Sequence, residues 1–123
     1  VTNILGGNLG WNLSATATTT LMTVAAEKIV KINRITVANV DGAAAADVSL
    51  FVDGLTTAGA TGISPTGASA TVYLAKTISV PADATLVISD TPIYLMEGDI
   101  LKGGASAASD LDLFISYEVL DDA

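Results

Sequence analysis

Cysteine and histidine are both missing from the 123 residues of this chain. Without them there is no disulfide scaffold, no thiol nucleophile, no Cys/His zinc site and no Ser-His-Asp triad. Positive charge is scarce too: five Lys and Arg residues stand against thirteen Asp and Glu, a net charge of −8. A surface of that sign repels phosphate backbones and anionic headgroups, so neither nucleic acid nor a membrane is an expected partner. Aromatics are few, with one Trp, three Tyr and two Phe, too few to line the cleft of a typical glycosidase. No apolar run approaches the ~20 residues of a membrane helix, and the opening residues lack the charged-then-apolar layout of a secretory leader.

What is present is β chemistry. Half of the residues are apolar and only 15 % are charged, the reverse of a disordered chain. The length suits one domain with one core. Val1 to Ser14, "VTNILGGNLGWNLS", is broken by Gly6, Gly7 and Gly10. It is expected to form an extended N-terminal arm, residues 1–14, ahead of a β-sandwich domain, residues 15–123, with a frayed terminus as the alternative. Trp11 offers that arm a large apolar side chain to dock.

Strands are expected over Thr16–Val24 and Lys28–Val40, where β-branched residues dominate. Val30 and Ile32 fall in one phase and Ile35 and Val37 in the other, so a bulge is expected near Asn33-Arg34. A helix over Ala25–Ile32 is the rival reading. Alternation marks Asp47–Gly54, with Val48, Leu50 and Val52 inward, and the stretch up to Val80, with Val72, Leu74, Ile78 and Val80 inward. Leu86–Ile88, Ile93–Leu95 and Leu111–Val119 follow. Thr56–Ala70 reads as a long Gly/Thr/Ser/Ala loop. Asp41-Gly42, Asp53-Gly54 and Gly103-Gly104 read as turns, since none has a phosphate-loop spacing. About eight short strands with turn signals between them imply an all-β, single-domain antiparallel β-sandwich or jelly roll.

The carboxylates fit the same pattern. Asp83, Asp90, Glu97 and Asp99 lie among Pro81, Pro92 and Gly98, where turns are expected, with Gly98 at positive φ. "TVAAEKIVKI" (Thr23–Ile32) echoes "SVPADATLVI" (Ser79–Ile88): strand end, small acidic turn, apolar strand. Glu97 and Asp99 flank Gly98 and are the candidate acid/base pair. Asp110 and Asp112, with Asp121 and Asp122 nearby in sequence, are the candidate calcium ligands. Both sets read better as turns and solvated strand edges, so no enzyme and no cofactor is expected. Phe51, Tyr73 and Phe114 sit in the outward phase of their strands. With Leu5, Leu9 and Trp11 of the arm they form the candidate interface, because aromatics concentrate where proteins meet.

The order of three segments resembles a known group. "ATTTLMTVAAEKIVKINRITVANVDGAAAADVSLFVDG", then "VYLAKTISVPADATLVI", then "IYLMEGDILKGGASAASDLDLFISYEVL" is similar to small virion structural proteins of tailed bacteriophages. Ala25-Ala26-Glu27 departs from the Pro-Ala-Gly-like turn of that group. The resemblance implies a capsid decoration (cement) protein on the virion exterior. It would bind the major capsid protein or another virion protein and form a homo-oligomer, with a trimer favoured. A neck, tail or baseplate accessory and a carbohydrate-binding module are the alternatives.

Overall fold

A computed structural model describes residues 4–55 and 65–121. Nine strands follow in order: β1 (Ile4–Asn12), β2 (Thr20–Thr23), β3 (Lys28–Asn39), β4 (Ala46–Asp53), β5 (Val72–Val80), β6 (Thr85–Ser89), β7 (Ile93–Leu95), β8 (Ile100–Ala105) and β9 (Leu111–Asp121). One sheet runs β1-β9-β3-β6, with β7 paired to the other half of β3; the second runs β2-β8-β4-β5. The pairings are antiparallel throughout. The first strand lies beside the last in one sheet, and the second lies beside the eighth in the other. This is jelly-roll wiring, so the expected all-β sandwich is what the chain forms.

The core lies between the sheets. Ile32, Ile35 and Val37 of β3, Val48 and Leu50 of β4, Leu101 of β8 and Leu111 and Ile115 of β9 are fully buried. The phase change in β3 works as the sequence suggested. Its register against β9 shifts between Ile32 and Arg34, and the extra residue returns Ile35 and Val37 to the face that Val30 and Ile32 already occupy. Buried Asn39 ties the β3–β4 connection to β5. Its Nδ2 donates to the carbonyls of Ala44 at 3.0 Å and Val80 at 2.9 Å, and its Oδ1 accepts from the Asp41 amide at 2.9 Å.

The sequence echo is a repeated turn. Lys28 N–H donates to Ala25 C=O, and Ala84 N–H to Pro81 C=O. The third residue of each turn sits at positive φ, Glu27 at 60° and Asp83 at 59°, as in a type II turn. Met96–Asp99 repeats the geometry with Gly98 at 83°, the glycine expected there.

Four expectations are corrected. Ile4–Asn12 is not an arm. It is the edge strand of the first sheet, paired along its length with Leu120–Asp112, and Leu13, at 2 % exposure, is core. Main-chain hydrogen bonds need no side chain, so glycines did not prevent pairing. Residues 1–3 of the expected arm lie outside the described residues, as do residues 56–64 of the expected loop. Second, Gly103 and Gly104 are strand, not turn. A Cβ on Gly103 would stand 2.5 Å from the Ser49 carbonyl oxygen, and one on Gly104 2.5 Å from that of Thr16. They are glycines because other backbone presses on β8. Third, β5 does not alternate simply. Its register against β4 slips twice, which puts Ala75 opposite Leu50 and leaves Val72 and Ile78 half exposed. Fourth, β2 starts at Thr20 rather than Thr16, because Thr19 N–H and hydroxyl both bond the Thr16 carbonyl in a turn.

Candidate functional site

Four of the six candidate interface residues gather around β1 and β9. Leu5, Leu9 and Trp11 stand opposite Val119, Ile115 and Leu113, so they project from the core-facing side of the sheet. The opposing edge strand β2 has only four residues, and this side of β1 stays open: Leu5 is 65 % exposed and Leu9 38 %. Tyr117 fills the gap at Gly7, its hydroxyl lying where a Cβ would need to be. On the other face, Phe114 is 49 % exposed. It heads a row across the sheet, Gly10–Phe114–Thr36–Val87, with no charge in it. Trp11 and Phe114 also line a shallow cavity of about 290 Å³ with Gly10, Asn12, Asp112 and Leu113. In it Asn12 Nδ2 donates to Asp112 Oδ1 at 2.7 Å.

Phe51 and Tyr73 lie apart from this surface, on the outer face of the second sheet. Phe51 is outward in phase, yet it is only 5 % exposed. Tyr73 packs on it with ring centroids 4.9 Å apart, and Lys102 stands opposite on β8. Phe51 is therefore corrected from interface to intramolecular packing. Tyr73 stays half exposed, with the Lys76 ammonium 5.1 Å from its ring centroid.

The titratable groups serve the scaffold. Asp99 Oδ2 accepts from the Met96 amide at 2.8 Å, and Glu97 Oε2 from the Glu27 amide at 2.9 Å. These two side chains hold separate turns and do not face a common point. Asp112 accepts from Asn12, and Asp121 pairs with Lys28 at 2.8 Å. Among the described residues, no three Asp or Glu side chains gather as metal ligands would. Asp53 is held down to about 2 from an ordinary 3.8, first by Lys102, then by the Thr71 hydroxyl and the Gly54 amide. That network closes the base of the β4–β5 connection, where Leu55 N–H also bonds the Ala70 carbonyl.

The feature that sequence reading missed is the edge itself. Three sheet edges are blunted. β2 is short and shifts register at β8, β5 carries two slips, Lys76 and Thr77 at φ 48°, and β6 and β7 span five and three residues. Such devices keep edges from pairing with other chains. β1 has none: nine residues, unbroken register, no charge and no proline. The missing charge was visible in "ILGGNLGWN"; that it borders a sheet was not.

No family model matches the chain, and no curated protein matches it. Among solved structures, a chain from Bacillus endospore appendages, described as a novel family of disulfide-linked pili, is similar at 14 % identity and a TM-score of 0.47. The match covers 99 % of this chain and 89 % of that one.

Proposed function

We propose that this chain is a structural subunit that acts by protein–protein contact and, within that class, a decoration protein on the exterior of a bacteriophage shell. One observation carries the coarser reading: Leu5, Leu9 and Trp11 line one face of an uncharged edge strand, and Phe114 of the neighbouring β9 stands half exposed on the other face. Glu97 and Asp99, by contrast, hold turns, and Asp53 and Asp121 form ion pairs. The finer reading rests on the resemblance of the strand and turn motifs. Its mechanism is mechanical. Surface buried across the seams between shell subunits raises the cost of separating them. Each specific contact needs roughly 1,000 Å², and many symmetric copies add through avidity.

Copy number per particle, read from a stained gel of purified virions, tests the placement. Hundreds of copies fit decoration of the shell; about six to a few dozen fit a neck, tail or baseplate part instead. Absence from the particle removes the virion reading. The shallow cavity at the strand edge, lined by Trp11, Asn12, Asp112 and Phe114, favours carbohydrate binding as the second reading. Aromatic faces stack on sugars while amide and carboxylate groups bond their hydroxyls. A glycan array with no bound sugar eliminates it.

A further inference from the structure

We propose that the open edge of β1 pairs antiparallel with β1 of a second copy of this chain, about a twofold axis through Asn8. The inference rests on the reading of the chain as a contact-forming subunit, and it names the contact.

Backbone geometry comes first. The Leu13 amide bonds the Leu111 carbonyl at 2.8 Å. Hydrogen-bonded pairs alternate along an antiparallel ladder, so Leu5, Gly7, Leu9 and Trp11 turn their N–H and C=O groups toward β9. Gly6, Asn8, Gly10 and Asn12 turn theirs to the open edge. A twofold axis at Asn8 places Gly6 opposite Gly10, Asn8 opposite Asn8 and Ile4 opposite Asn12 of the second copy. Those are hydrogen-bonding pairs throughout, about ten bonds in all.

The side chains fit the same register. Leu9 falls opposite Gly7, and Leu5 opposite Trp11, all on the core-facing side. The half-open apolar strip beside β2 is thereby covered from both copies. The two sheets fuse into one, running β6-β3-β9-β1 and then β1-β9-β3-β6. Charge selects a second copy over other occupants. Two molecules of net charge −8 meet with least repulsion along a segment that carries no charge, and Ile4–Asn12 is such a segment. A twofold contact also needs a self-complementary surface, which this strand supplies.

Asn8 is exposed and lies on the axis, so two copies of its side chain stand opposite each other. Asn8→Lys alone and Asn8→Asp alone each set like charges together and should weaken pairing by at least roughly tenfold. An equimolar mixture of the two variants should restore it. Asn8→Pro removes an N–H that faces the open edge and spares the β1–β9 ladder, a position that tolerates proline; an unchanged thermal transition at low concentration verifies the fold. Sedimentation velocity of the intact chain should give twice the chain mass for wild type and for the mixture, and one chain mass for each single variant. A wild type that stays at one chain mass at its highest soluble concentration overturns the proposal. So does a trimer, or any oligomer, indifferent to Asn8→Lys and Asn8→Pro. Binding to shells separates the two claims: a dimer that ignores shells keeps the pairing and removes decoration, and a monomer that coats shells does the opposite.

Discussion

At the scale of single residues, backbone strain and electrostatics give the sharpest expectations. Glu27 and Asp83 hold a left-handed conformation that costs an L-residue roughly 1–2 kcal/mol, while glycine adopts it freely at some entropic cost. Glu27→Gly and Asp83→Gly should therefore each stabilise the fold by about 0.5–1 kcal/mol, seen as a higher midpoint in chemical denaturation. A lower midpoint would mean that these side chains do more than turn the chain. Asp53 contributes a pH dependence. Its folded value, about 2, lies below the ordinary 3.8. Its contribution to stability is thus complete above pH 4 and fades as pH falls toward 2. Lys102→Met should return the Asp53 titration toward the ordinary value, followed by its carboxyl carbon shift. A titration left near 2 would make Thr71 and Gly54, not Lys102, the cause.

At the scale of strands, two further changes probe packing. Gly104→Ala pushes a methyl into the Thr16 carbonyl and should cost about 1–3 kcal/mol, whereas Gly67→Ala meets no neighbour but sits at φ 76° and should cost less. Asn39→Ala leaves the buried Val80 carbonyl, and the less buried Ala44 carbonyl and Asp41 amide, without their side-chain partner and should cost about 1–3 kcal/mol in equilibrium unfolding. Much of the strand pattern was readable beforehand. The β3 bulge, the β9 alternation and the Gly98 turn followed from side-chain phase and turn chemistry, both local properties. β1 and β8 did not, for one physical reason. Their placement depends on backbone reach across about a hundred residues or more for β1, and on the carbonyls of Ser49 in β4 and of Thr16 for β8. A glycine needed for close approach looks in sequence like a glycine needed for a turn. Of the candidate site, Leu5, Leu9 and Trp11 stand out in sequence only as large apolar side chains in a glycine-broken segment, and Phe114 by hydrophobicity out of phase with its neighbours. Phe51 showed the same sign, but Tyr73 and the double slip of β5 cover it.

At the scale of the whole molecule, stability and contact separate into different residues. Phe51→Ala should lower stability by at least about 1 kcal/mol, because it opens a buried packed ring, and leave association intact. Phe114→Ser should do the reverse: little change in unfolding, since half the ring already faces water, and weaker binding to whatever the first sheet covers. Deleting residues 1–13 would be uninformative, because it removes a strand and a core leucine together. The central claim, contact through the edge strand, is tested most directly by amide hydrogen exchange along β1 in the intact chain. Raising the concentration should slow exchange at Gly6, Asn8 and Gly10 by at least roughly tenfold, while Leu9 and Trp11, already bonded to β9, change little. Amides of Gly6, Asn8 and Gly10 that exchange equally fast in dilute solution and in the assembled state would contradict it.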